Sequence, residues 1–221
     1  MARWRVAGFD LDGTLVTGTS ILEFVGTRLG FRHQAEQLTR AYATFRMSNR
    51  EVTEAAARFF AGRRPAEISQ MLADIPTIDG IAESMAVLRR QGIACLLCTI
   101  TFRFAADHFA ERFGFDAVSG CELEVNRTGV YTGSVSKHFE AEEKREFIID
   151  ECTRRGASLD EACYFGDSRS DVPTFDVVGF GVALNATPEA EVAANVTIHT
   201  ADLRHALALV PGLLDGTWLD G

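Results

Sequence analysis

Two aspartate clusters, far apart in the chain, constrain its fold more than any other feature. The first is Asp10-Leu11-Asp12-Gly13-Thr14, directly after the apolar run Val6-Ala7-Gly8-Phe9. The second is Gly166-Asp167-Ser168-Arg169-Ser170-Asp171, directly after Ala162-Cys163-Tyr164-Phe165. Each puts carboxylates where a strand-like run gives way to a glycine-containing turn. A single Asp-Gly after a strand is ordinary turn chemistry. Two acidic strand ends mean more, because open α/β sheets bind ligands outside the carboxyl ends of their strands. Side by side, they would hold a hard cation through oxygen ligands. Gathering so much negative charge makes sense if a metal and a phosphate share the site.

The remaining pattern supplies such a sheet. Strand signals fall at Arg5–Phe9, Ile93–Thr99, Ala117–Ser119, Ala162–Gly166, Gly181–Leu184 and Val196–Ile198. Helical periodicity fills Ile81–Arg90, Phe102–Phe113, Phe139–Arg154 and Leu203–Leu209. This alternation predicts an α/β fold with a doubly wound parallel sheet. Glu122–Val125 and Val130–Gly133, joined by Asn126-Arg127-Thr128-Gly129, read as a β-hairpin. One segment breaks the alternation. Thr19 to Ala73 carries helical patterns only and is rich in aromatics, among them Phe24, Tyr42, Phe45, Phe59 and Phe60. Pro65 begins one of its helices and Ile75-Pro76 closes it, so a small helical insertion after the first strand is predicted. Most of its aromatics are expected to form a mini-core.

Composition excludes several classes. A net charge of −9 argues against a nucleic-acid-binding surface, which needs clustered Lys and Arg. No apolar stretch approaches membrane-spanning length, and Met1–Arg5 leads into a strand without the pattern of a signal peptide. Cys95 and Cys98 spell CxxC, but they lie in a run that reads as a buried strand, on which residues three apart point to opposite faces. Five cysteines with no leader fit a reducing, cytoplasmic setting, with the thiols acting as small hydrophobes.

The clusters and their order resemble the haloacid dehalogenase-like hydrolases, and specifically their phosphoserine-phosphatase-like branch. That family carries four short motifs, and each has a counterpart. Asp10-Leu11-Asp12-Gly13-Thr14 resembles the first and Gly166–Asp171 the fourth. Thr99, ending the run Cys95–Cys98, matches the second; Lys144 matches the lysine of the third, with Lys137 as its competitor. The likeness runs from Arg5 to about Leu209. It implies a core of residues 1–17 and 77–221, with residues 18–76 as a helical cap over the active site.

It also implies roles. Asp10 would be the nucleophile, and Asp12 the acid and base. Asp10, the Asp12 carbonyl and Asp167 would hold Mg²⁺, with Asp171 fixing that geometry. Thr99, Ile100 and Lys144 would hold the phosphate. For Thr99 the plainer reading is a helix cap, and for Lys144 a solvated charged face. The function implied is Mg²⁺-dependent hydrolysis of a small soluble phosphate monoester, with no nucleic acid or membrane partner. The alternatives are phosphoserine phosphatase itself and a non-catalytic module binding through the cap. A pure binding module has no need of a costly acid cluster. In the family, a Glu and an Arg from the cap clamp the serine zwitterion. A gapless alignment puts Thr19 and Ala57 there, with Glu23 and Arg58 as substitutes in a shifted register. Ile100 narrows the pocket, and Ser170 stands where Asn is usual. O-phospho-L-serine is therefore expected to be a poor substrate.

Overall fold

The computed structural model describes residues 4–214. Its strands are β1 (Val6–Phe9), β2 (Ala94–Leu97), β3 (Ala117–Val118), β4 (Glu122–Val125), β5 (Tyr131–Lys137), β6 (Ala162–Gly166), β7 (Phe180–Leu184) and β8 (Val196–Ile198). Six of them form one parallel sheet in the order β3-β2-β1-β6-β7-β8. The doubly wound α/β sheet expected from the alternation is what forms.

The middle strands are buried on both faces, as parallel strands are. Val6, Leu96, Cys98 and Tyr164 share one apolar cluster with Ile148 and Cys152; Ala7, Phe9, Cys95, Leu97 and Phe165 belong to the other. Helices α5 (Ile81–Arg90), α6 (Arg103–Phe113) and α10 (Leu203–Ala208) contribute to the latter cluster. Helices α7 (Ala141–Arg154), α8 (Val172–Phe175) and α9 (Pro188–Ala193) contribute to the former. Cys95 and Cys98 thus lie in different cores. Burial pushes the Cys95 thiol up to about 12 and Cys98 higher still, which leaves neither a reactive thiolate.

The register decides where the site forms. Phe9 stands opposite Leu97 on one side and Phe165 on the other. Asp10, Thr99 and Asp167 therefore leave the sheet at the same edge.

Between β1 and α5 run α1 (Ile21–Leu29), α2 (Arg32–Ala43), α3 (Asn49–Ala57), a 3₁₀ turn at Arg58–Phe60, and α4 (Pro65–Gln70). Local sequence sets their ends. Ser20 caps α1 by accepting the Glu23 N–H (3.2 Å), and Gly30 ends it in the left-handed conformation at φ 81°. Ser48 and Glu51 form a reciprocal capping box on α3. Phe31 stacks on Phe59, and Phe60 packs its edge against Phe31, Phe102 and Tyr131. This aromatic cluster continues into the main core rather than standing apart. Buried Asn49 ties α3 to the sheet end by donating to the carbonyls of Ile100 (2.9 Å) and Phe139 (2.8 Å). The hairpin joins the same group, through Gly62 N–H to the Tyr131 carbonyl and Tyr131 N–H to the Arg63 carbonyl. Its second strand runs to Lys137, beyond the expected Gly133, with register shifts that bend it.

Candidate active site

Asp10 follows β1 directly and is almost wholly buried. The N–H of Asp10 donates to the Phe165 carbonyl (2.8 Å), fixing it beside the β6 end. Its carboxylate Oδ1 accepts from Lys144 Nζ at 2.7 Å. Lys144 is fully buried, and it also reaches Asp171 Oδ1 (2.5 Å) and Ser170 Oγ (3.3 Å). An ammonium has three donors, so protein atoms take all of them. Burial alone would depress this ammonium, but Asp10 and Asp171 together hold it above its ordinary value. Lys137, the competing lysine, lies exposed on β5 beside Glu122. Lys144 is thus not on a solvated face. It holds Oδ1 of Asp10, whose carboxylate also has Asp167 as a side-chain hydrogen-bond partner.

Asp171 organises the loop after β6. Its Oδ1 accepts from Lys144 and from the buried Tyr164 hydroxyl (2.6 Å). Its Oδ2 accepts the N–H groups of Asp167 (3.0 Å) and Ser168 (2.9 Å). Gly166 is required behind it, since a Cβ there would fall 2.4 Å from Asp171 Cγ. Gly13 plays the matching part in the first loop. It has φ +88°, and a Cβ there would lie 2.1 Å from Asp167 Oδ2. The two acidic loops therefore close on each other, with Thr14 Oγ1 donating to Asp167 Oδ1 at a long 3.4 Å.

Asp10, Asp167 and Asp171 each bring a carboxylate oxygen within 4.8 Å of the others. Burial first, and then the neighbouring negative charges, raise Asp167 well above the usual carboxylate range. Asp10 is pushed up to about 6, chiefly by burial, with Lys144 pulling the other way. Asp12 stands outside this triad, partly buried, at the start of α1. Its Oδ1 accepts the Ile21 N–H at 2.6 Å. Burial raises it to about 7, with the Asp10 charge adding to the rise and the Ile21 N–H opposing it.

Thr99 is buried at the end of β2, but its N–H is not available to a ligand. It donates to Ser119 Oγ (2.8 Å), and Ser119 Oγ–H returns a bond to the Thr99 carbonyl (2.9 Å). Thr99 Oγ1 accepts the Thr101 N–H (3.1 Å). The helix-cap reading of Thr99 and Thr101 fails, since α6 is preceded by Phe102 and has no side-chain cap.

A cavity of about 460 Å³ opens over these residues. Asp10, Asp12, Thr99, Ile100 and Asp167 line its floor; Thr19 and Glu23 of the helical segment line it too. Ala57 and Arg58 do not, so the shifted clamp of Glu23 with Arg58 is not assembled. Of the aromatics of the helical segment, Tyr42 and Phe45 line it while Phe24 and Phe59 do not. The sequence reading missed four participants: Ser119, Tyr164, Tyr42 and Arg169. Tyr164 lies inside the apolar β6 run, where the sequence does not set it apart from core. Only Arg169 carried a signal, as a charged residue between two site aspartates.

A parallel α/β sheet with two acidic loops closing on one cavity, and a buried lysine on the first aspartate, defines a hydrolase-type aspartate site. The profile of haloacid dehalogenase-like hydrolases matches residues 7–176, and the chain belongs to that family. Its curated relatives put it on the phosphoserine-phosphatase-like branch. A phosphoserine phosphatase of Albidiferax ferrireducens is 24% identical over 216 residues, covering 95% of this chain and 90% of the relative. One of Mycobacterium tuberculosis is 25% identical over 195 residues, covering 88% of this chain; the chain spans 47% of that longer relative. Among solved structures, a phospho-aspartyl intermediate analogue of phosphoserine phosphatase superposes with TM-score 0.81 at 21% identity, over 93% of this chain and 98% of the other. Among the described residues no helix is long and apolar enough to cross a membrane.

Proposed function

We propose that this member of the phosphatase branch hydrolyses a small phosphate monoester through an aspartyl-phosphate intermediate, with residues 18–76 as the cap over its site. The observation that carries the reading is the pairing of Asp10 with Asp12. One carboxylate has a single oxygen held by a buried lysine; the other has a pKa near the operating pH.

The chemistry balances as follows. A carboxylate oxygen of Asp10 attacks phosphorus, and the bond from phosphorus to the alcohol oxygen breaks. Asp12, protonated, gives its proton to the leaving alkoxide. Water then attacks the phosphorus of the aspartyl phosphate, Asp12 takes its proton, and the Asp10 carboxylate departs. A group that is first acid and then base works best with a pKa near ambient pH, which burial gives Asp12.

The acid triad fits a hard divalent cation. Its donors are all carboxylate oxygens, gathered within 4.8 Å of one another. Asp10, Asp167 and the Asp12 carbonyl would hold Mg²⁺. Asp171, whose two oxygens already accept five protein donors, would keep the loop in place. When bound, the metal offsets the repulsion between carboxylate and phosphate and stabilises the transferring group. The buried, unpaired thiols accord with a cytoplasmic location.

A second reading, O-phospho-L-serine as the substrate, is favoured by the names of the relatives and by Glu23, whose carboxylate lines the cavity. Phosphate release from a panel of phosphorylated metabolites with Mg²⁺ tests both. Release by the wild type and none by Asp10→Asn is expected. An Asp10→Asn variant that keeps most of its activity would end the proposal. A phosphoserine kcat/KM far above all others would select the second reading.

A further inference from the structure

We infer that Arg169 is the specificity-determining cation of this cavity and selects ligands carrying a second anionic group besides the transferred phosphoryl. The inference rests on the phosphatase reading of the site and names the substrate class.

Arg169 is the only basic side chain among the described residues lining the cavity; Lys144 is sealed behind Asp10. The guanidinium lies 3.9 Å from the Tyr42 ring centroid and 4.2 Å from that of Phe45. Stacking of this kind fixes the plane of an arginine, and the Tyr42 hydroxyl is also a side-chain hydrogen-bond partner of the guanidinium. Nη2 reaches the Met47 carbonyl only at 3.4 Å. Nε is buried and has no partner. Among the described residues no carboxylate forms an ion pair with it. A buried donor left unmade is costly. That cost is relieved by an anion that accepts from the fork.

The backbone supports the same conclusion. Phe45 is 64% exposed and sits at φ +57°, a conformation a bulky residue rarely adopts. Strain of this sort persists where the surroundings over-determine it, often at ligand clamps. Here it puts an aromatic ring over a residue from the loop between Asp167 and Asp171. The fork is thereby pre-organised at a fixed place relative to the phosphoryl site, on the opposite element from the expected cap arginine. Carboxylate and phosphate share the chemistry it would read.

The test is binding rather than turnover. Titration calorimetry with Mg²⁺ compares propylphosphonate, 3-phosphonopropionate and propane-1,3-bisphosphonate on the wild type, Arg169→Met and Arg169→Lys. The wild type is expected to bind at least one dianionic-ended ligand about ten- to a hundred-fold tighter than propylphosphonate, the size of a charge-assisted contact. Whichever exceeds it further identifies carboxylate or phosphate. That ratio should fall to near one in Arg169→Met and be intermediate in Arg169→Lys, which keeps the charge without the fork. Thermal denaturation verifies that each variant folds; if Arg169→Met does not, Arg169→Lys carries the comparison. An unchanged ratio in the variants, no preference in the wild type, or no binding of any ligand overturns the inference and leaves Arg169 as a packing contact. Failure to hydrolyse any ester would count against the phosphatase reading alone, because the ratio is read without turnover.

Discussion

Lys144→Met is the sharpest test of how the site is held together. Lysine and methionine have similar length, so the variant removes charge more than volume. Lys144 is fully buried and bridges Asp10 and Asp171. Breaking a buried pair by deleting one partner costs about 3–5 kcal/mol, because an uncompensated charge stays behind. Asp171 keeps the Tyr164 hydroxyl and two backbone N–H donors, which favours the lower part of that range. For a chain of this size ~3 kcal/mol is a fall in Tm of about 6–12 °C.

The pH dependence follows from Asp10. Its pKa is already about 6 with Lys144 pulling it down, and the variant lets it rise further. A carboxyl whose folded pKa exceeds its unfolded value loses stability as pH climbs from about 4 through the folded pKa. The deficit of Lys144→Met should therefore be larger at pH 8 than at pH 5.5. Urea denaturation in chelator at both pH values measures it. Adding Asp171→Asn to Lys144→Met should recover at least ~1 kcal/mol, since one stranded charge is removed. A loss under ~1 kcal/mol, or one that does not change with pH, would show that the lysine is not paired as described.

Three further outcomes are expected. Asp12→Asn keeps the acceptor for the Ile21 N–H but loses a group whose pKa rises from 3.8 to about 7; at ~1.4 kcal/mol per pH unit, discounted for partial exposure, the metal-free variant should gain ~1–3 kcal/mol at pH 8 and nothing at pH 4, read by denaturation. The same variant should lose about 10²–10⁴-fold in turnover of alkyl phosphates, and less in the first step with an activated aryl phosphate; equal losses would remove the acid role. Activity should vanish in chelator, and Asp167→Asn should raise the Mg²⁺ concentration for half-activity more than Ser170→Ala, whose hydroxyl bonds Lys144 and Ser168 and belongs to no expected metal ligand.

Much of this arrangement is legible in the chain because it is local. β6 and α5 have the ends read from the sequence, and β8 does too. In each case apolar periodicity and the flanking turn residues agree. The acidic turns are legible for the same reason, since each motif occupies one loop. What is hidden depends on contacts between distant segments. Lys144 sits among Glu140, Glu142, Glu143, Arg145 and Glu146, which read as a solvated face. Yet Lys144, Ile148 and Cys152 recur at i, i+4 and i+8, and all three are buried against the sheet. That stripe was the available signal, masked by the charge of its first member. The Thr99–Ser119 pair and the Arg169–Tyr42 stack had no such stripe, because nothing in either segment encodes the other.

The hidden contacts explain how the chain tolerates its own acid cluster. Asp171 and Lys144 form no part of the expected chemistry of bond breaking, yet they are the most deeply buried charges of the site. Asp171 accepts from Lys144, Tyr164, two loop N–H groups and, at a longer 3.4 Å, the Ser168 hydroxyl. The loop is thereby shaped so that Asp167 projects toward Asp10 and Gly13. Lys144 spends its three donors on holding Asp10 and that same loop. One buried cation thus offsets two of the three clustered carboxylates and leaves Asp167 without one. The residual charge is placed at the mouth of the triad, where a divalent cation and a phosphate would meet. The two carboxylates raised furthest from their pairing needs, Asp167 and Asp12, are those with no lysine. Their instability in the free protein is the same feature that would make metal binding and proton transfer favourable.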